Sequence, residues 1–417
     1  MGKGKLAVLI TLGIIWGVLT YGLDWLFKVP KGSTLPLSQI TVLNTDYIQI
    51  GLILGWAALV NAIAMLPSGR IADRIGRKPI VIVSFLGLAV SYFAYELIAF
   101  YDTFWILILV GTVRMVFAAT SWVALLAWVA DQSSEKNRGT IMSGLTAALT
   151  VANVFAVVVI GAMFDSVGLF NTFTLVAAIQ LIAVVPLLFI AGRARPDTKA
   201  KDSKPAKVGK LRTWREVIRD RPLLVLSVSG MLATTPGIMI QFIILALLSS
   251  SYGLGTVDSA IPLGIMLVFV MIGYVISSQV MDRLKIKRGL LVASLIVTIV
   301  PLFFLFLTPY LVFMQSLVAL IVFIGLFGLG MGLSTPTYLT LITDLSPTGE
   351  TGTELSVFQG ILNFNYVIAN FMSGYLWAVG GLPLTMLGAM IIVFFGLVIV
   401  VAGVRRSTLE ARGVKGR

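Results

Sequence analysis

Neither cysteine nor histidine occurs anywhere in the 417 residues. Their absence excludes disulfides, thiolate or imidazole metal sites, and a histidine proton relay. Charge is scarce as well: only 12% of the residues are Asp, Glu, Lys or Arg, about half the share found in ordinary soluble domains. No Gly-rich loop ending in Lys-Ser or Lys-Thr is present to cradle a nucleotide phosphate, which excludes an ATP-driven pump. The apolar stretches also lack clustered acids, a metal set, or a nucleophile with its base, so a membrane-embedded enzyme is not expected.

What fills the chain instead is apolar: 58% of the residues are hydrophobic and the mean hydropathy is +1.00. A spanning helix needs about 20 mostly apolar residues. Such segments lie near residues 6–27, 47–67, 80–100, 103–130, 140–163, 169–192, 222–249, 259–281, 289–308, 311–343, 354–378 and 382–404. The reading is therefore an all-α membrane protein with twelve transmembrane helices. The basic start Met1 to Lys5 and the run behind it resemble a signal peptide, but the run is too long and no small-residue cleavage site follows, so it reads as the first spanning helix.

Placement of Lys and Arg sets the expected orientation, because basic residues of short loops stay on the cytoplasmic side. With the N-terminus inside, 28 of the 31 basic residues fall inside; Lys28 and Lys31 lie outside and Arg114 within a span. The net charge of +13 is thus a topology signal and not a nucleic-acid footprint. Both termini are expected to be cytoplasmic.

One long polar connection separates six spans from six. The expected organisation is an N-terminal bundle at 1–192, a cytoplasmic linker at 193–221, a C-terminal bundle at 222–404 and a cytoplasmic tail at 405–417. In the linker's second half, Leu211, Trp214, Val217 and Ile218 share a helical face, which fits an amphipathic helix on the anionic inner leaflet or a solvated linker helix equally well.

An internal repeat relates the two halves. Asp131 to Gly139 lines up with Asp344 to Gly352 at an offset of 213, which Gly161 and Gly374, and Gly168 and Gly381, also keep. Ser68 to Lys78 matches Ser277 to Lys287 at an offset of 209. Two pseudo-symmetric six-helix bundles follow, the architecture of a rocker.

The stretch Gly69-Arg70-Ile71-Ala72-Asp73-Arg74-Ile75-Gly76-Arg77-Lys78 resembles the signature of the major facilitator superfamily, at the family's position in the loop between the second and third helices. The degenerate copy at Asp282 to Lys287, the Asp131 to Gly139 loop and the Arg114 position resemble it too. The resemblance implies a secondary transporter of the cell membrane working by alternating access. It also implies a conformational latch built from Gly69, Asp73, Arg74, Gly76, Arg77, Asp131 and Arg138, with Asp73 meeting the positive N-terminal end of the eleventh helix and Arg77 pairing with Asp131. Arg70 and Lys78 read as topology residues alone.

Inside the spans, Arg114 is the one deep basic residue, about 16 Å along its helix from Thr103. A charge there is costly and marks a functional site. Its expected partner is Asp24 on the first helix, with Glu96 on the third as competitor. By helix rise Asp24 falls near the outer boundary, so the pair meets only if the first helix shifts or tilts or the arginine snorkels; the alternative for Asp24 is a wet interface position. Burial and a neighbouring cation act on a carboxylate in opposite senses, so moving the arginine would switch its proton affinity. Gln359, Asn363, Tyr366 and Asn370 share one helical face, and their repeat counterparts include Thr150 and Asn153. Together with Tyr21, Arg114 and Gln241 beside a Pro236-Gly237 break, they read either as a shared substrate cavity or as polar glue between helices.

The expected function is proton-coupled export of an amphipathic small molecule, as in the family's drug:proton antiporters. Against that, the antiporters' Gly-Pro pair is missing from Thr150 to Gly161, and the Gln-Gly that often follows the arginine is absent. The alternatives are uptake of an organic anion or sugar, and a non-transporting membrane binding protein. No cofactor, metal or nucleic acid is expected; the expected partners are the substrate and the lipid bilayer, with the chain a monomer driven by the proton gradient.

Overall fold

The computed structural model describes residues 3–26, 46–101, 103–132, 152, 155–156, 159–164, 166–189, 219–252, 260–284, 287–345 and 351–403. All regular structure among them is helical. The helices are α1 (Lys3–Leu26), α2 (Tyr47–Ile75), α3 (Arg77–Ala94, continued by a tighter turn at Tyr95–Ala99) and α4 (Thr103–Gln132). Then come α5 (159–164) and α6 (Leu169–Ile182, resuming at Val184–Phe189). The remainder are α7 (Arg221–Tyr252), α8 (Ala260–Leu284), α9 (Lys287–Phe306), α10 (Leu317–Leu345) and α11 (Thr351–Gly403).

Nine helices among the described residues are long and apolar enough to cross a membrane. The last of these stretches runs for 44 residues, Gly360–Gly403. A straight helix of that length would measure about 66 Å, roughly twice the hydrocarbon thickness. It does not run straight: Gly380 (φ −144°, ψ 17°) and Gly381 (φ 59°, ψ −149°) leave helical geometry and divide α11 into two limbs. Its repeat partner Gly168, at φ 80°, opens α6 in the same way. A positive φ costs glycine nothing, so both members of the pair supply a turn between apolar helices without a polar loop.

Two expectations about breaks are corrected. The signature stretch is not a loop: α2 continues through Ile75, and only Gly76, at φ 110°, stands between it and α3. Asp46 starts α2 with a reciprocal cap, accepting from the Gln49 amide at 2.8 Å while the Gln49 side chain accepts from the Asp46 amide at 3.2 Å. Nor does Pro236 break the seventh helix, since α7 is continuous from Arg221 to Tyr252. A proline removes one backbone donor, and neighbouring helices can hold the rest of the ladder. Pro186 does have a local effect, because α6 is interrupted at Ala183, three residues before it.

The chain divides into two compact units, one with α1–α6 and the other with α7–α11. Each carries like fasteners between corresponding helices. In the first, the Ser68 and Thr120 hydroxyls join α2 to α4 at 3.1 Å; in the second, Ser277 and Thr337 join α8 to α10 at 3.1 Å. Lys78 at the start of α3 donates to the Leu188 carbonyl at the end of α6 (2.9 Å), and Arg288 at the start of α9 donates to the Val401 carbonyl at the end of α11 (3.1 Å). Carbonyls in a helix's last turn lack an internal partner and carry the negative end of its dipole, so a cation both bonds and neutralises them. Lys78 therefore does more than set topology. Lys78→Met and Arg288→Met are each expected to speed amide exchange in the last turn of α6 or α11 by about fivefold, the effect of losing ~1 kcal/mol locally. Exchange measured peptide by peptide should leave the opposite unit untouched.

Candidate functional site

Arg114 is 1% exposed, and α1, α3 and α4 converge on it. Its Nη1 donates to the backbone carbonyl of Thr20 at 3.3 Å. Its guanidinium carbon lies 6.0 Å from the centroid of the Tyr95 ring, within cation–π range. Tyr95 is itself buried and packs against Phe173 of α6 at 5.4 Å. On α3, Tyr92 falls three residues earlier on the same face. Its hydroxyl meets the Thr20 hydroxyl at 3.0 Å. Thr20 is thus shared: side chain to α3, carbonyl to α4.

Below this node Trp16 stacks on Trp122, with ring centroids 5.2 Å apart and planes 11° from parallel. Rising numbers on α4 meet falling numbers on α1, so the two helices run antiparallel. This explains how a residue in the middle of α4 reaches the far end of α1. A helical side chain leans toward its own N-terminus, and the N-terminal end of α4 lies beside the C-terminal end of α1. Because α1 is helical through Leu26, the Thr20 carbonyl is also the acceptor for the backbone amide of residue 24. Arg114 accordingly holds α1 within one turn of Asp24.

Glu96 takes another direction. It accepts from the Thr174 hydroxyl on α6, not from Arg114. The tighter turn that begins at Tyr95 rotates the next residue away from the face shared by Tyr92 and Tyr95.

In the second unit, Asn363 is half-buried, Tyr366 is 39% exposed and Asn370 is buried, so their common stripe does not share one environment. Asn365 links α11 to α7, its Nδ2 donating to Thr234 Oγ1 at 2.8 Å. Thr235 turns back to the Met231 carbonyl, and Gln241 is half-buried on α7. A second buried node joins Ser229 of α7 to the Tyr338 hydroxyl of α10 and to the Gly396 carbonyl. None of Asn365, Ser229 and Tyr338 stands out in the sequence, since single polar residues in apolar helices carry no periodic signal.

Several expected residues lie outside what is described. The side chains of Tyr21, Asp24, Asp73, Arg74, Asp131 and Gln359 and the surroundings of Gly69 lie outside what is described, although their backbones are helical, and Arg138, Thr150 and Asn153 lie outside entirely. Gly76 and Arg77 are described, and both are half-buried.

The long apolar helices among the described residues define a polytopic membrane protein. Residues 10–353 match the Major Facilitator Superfamily, and the chain belongs to that family of transporters. It is 31% identical over 140 residues to the class E tetracycline resistance protein of Escherichia coli, covering 34% of this chain and 33% of that one. To the inner membrane transport protein YajR of E. coli strain K12 it is 25% identical over 158 residues, covering 38% and 34%. The matches thus span about a third of the length of these curated relatives. Among solved structures, a bacterial homologue of the human lysosomal transporter Spinster, inward-facing and occupied, superposes with TM-score 0.75 at 14% identity over 97% of both chains. The unoccupied form gives 0.74 at 16% identity, over 97% of this chain and 98% of that one. These likenesses are to the fold.

Proposed function

We propose that this multi-pass membrane protein is a twelve-span, proton-linked exporter of amphipathic small molecules, with both termini cytoplasmic, working by alternating access. The carrying observation is Arg114, fully buried yet fixed to α1 one turn from Asp24. Burying a guanidinium in apolar helices is expensive, and such charges are retained for the work they do. In this reading the Asp24 carboxylate pairs with Arg114 when deprotonated and releases it on protonation. Each proton taken up would loosen α1 from α4, and each proton released would draw them together. Local similarity to a tetracycline resistance protein supports export, as does the aromatic surrounding of Trp16, Trp122, Tyr92 and Tyr95.

The test is counterflow and pH-driven transport in proteoliposomes, with candidates first ranked by thermal stabilisation across planar drugs, sugars and carboxylates. Asp24→Asn is expected to keep counterflow but lose the response to a pH gradient. Gradient-driven transport at the native rate in that variant would remove the coupling role, and stabilisation by sugars or carboxylates alone would favour uptake.

A further inference from the structure

Among the described residues many helical hydroxyls bond back within their own helix, and Thr20, like Ser229 of α7, does not. Thr11, Ser91, Thr112, Thr120, Ser227 and Thr298 all bond the carbonyl four residues back in their own helix. That back-bond is the local default for a helical hydroxyl in an apolar setting, and it bends the helix slightly. Thr20 makes no such bond; its hydroxyl goes across to Tyr92, which is 0% exposed. The Thr20 carbonyl that Arg114 grips thus lies on a turn with no Thr20 back-bond.

We propose that Tyr92 is a positioning residue for the arginine site: by drawing the Thr20 hydroxyl out of α1, it sets the Thr20 carbonyl for Arg114 and fixes the end of α1 that bears Asp24. This extends the proton-linked reading and rests on it for the role of Asp24, though not for the geometry. In Tyr92→Phe, Thr20 falls back on the Trp16 carbonyl, α1 bends at that turn, and Arg114 loses its seat. The change removes one hydroxyl and opens no cavity, so the fold survives. The titratable groups that the surrounding helices bring to the node are few. Tyr92 and Tyr95 come from α3, Glu96 is engaged with Thr174, and α6 carries no ionisable residue between Leu169 and Ile182.

Two readouts on the full chain in lipid nanodiscs test this without a known substrate. The first is amide exchange at residue 24, whose N–H bonds the Thr20 carbonyl; Tyr92→Phe is expected to raise it about tenfold while the melting temperature stays put. The second is the pH titration of tryptophan fluorescence from the Trp16–Trp122 stack, whose midpoint Tyr92→Phe should move by at least about half a unit. Thr20→Val removes the hydroxyl that would fall back on the Trp16 carbonyl, so in the double variant it should suppress most of the rise that Tyr92→Phe produces. Additive effects in the double variant, or unchanged exchange at residue 24 in Tyr92→Phe, would overturn the assignment. If Asp24→Asn leaves the fluorescence titration untouched, the proton-coupling reading fails, and the exchange measurement alone then decides the role of Tyr92.

Discussion

Gly332→Leu should yield no folded protein, and Gly332→Ala should melt far below the native chain, by at least about 3 kcal/mol of lost stability. A Cβ at this position would stand 2.2 Å from the Val270 carbonyl oxygen and 2.9 Å from the Val270 Cα. Those atoms are backbone of α8, so no rotamer change relieves the clash. The neighbouring positions leave no room for a slide: Gly328 would meet the Met266 carbonyl at 2.4 Å, and Gly273 on α8 would meet the Leu329 carbonyl at 2.7 Å. Within a bilayer, helices gain nothing from hiding apolar surface from lipid, and close backbone approach through small residues is what holds them. Gly360→Ala is the control. Nothing lies within 4 Å of a Cβ there, and alanine in a helix is expected to help by about 0.5–1 kcal/mol. Thermal unfolding in detergent, followed by size-exclusion recovery, reads both. Equal melting of the two alanine variants would show that α8 and α10 do not depend on this contact.

Arg114→Gln should abolish gradient-driven transport, a loss of about a hundredfold or more, with the melting temperature held or raised. The two halves of that expectation have separate causes. Stability has little to lose, because the Thr20 carbonyl keeps its helical donor and the membrane core is relieved of a buried charge. Transport loses the cation that fastens α1 to α4 and the charge that faces Tyr95. Arg114→Lys should fare little better. A lysine ammonium is a compact point charge that lacks the planar fork able to reach the Thr20 carbonyl while lying over the Tyr95 ring. Proteoliposome uptake and differential scanning on the same preparation give both halves. Full transport by the glutamine variant would strip Arg114 of its role, and a collapse in melting temperature would make it a structural brace.

The nine spanning helices among the described residues were legible because hydrophobicity over twenty residues is a strong signal and survives local error. Gly168 and Gly381 were legible as a repeat pair, and the structure gives them a shared physical cause in positive φ. The arginine was legible from its cost. Its surroundings were not: Tyr92 and Tyr95 sit on α3, and nothing in an apolar helix with two tyrosines says that they face inward. Thr20 was invisible because its usefulness lies in a backbone carbonyl, which every residue has. The extension of α2 through the signature was missed for the opposite reason. Asp, Arg and Gly read as loop residues, while the helix simply ran on until Gly76. Lys78 was read as a counted charge, and only the position of Leu188 reveals what it holds.

The ties from Lys78 to Leu188 and from Arg288 to Val401 also define a load path. In each unit the tied carbonyl lies in the last turn of the final described helix. A pull on that turn meets a cross-tie to the third helix of its own unit before the turn can unwind. Force on either last turn is thus shared with the third helix and, through it, with the body of the unit.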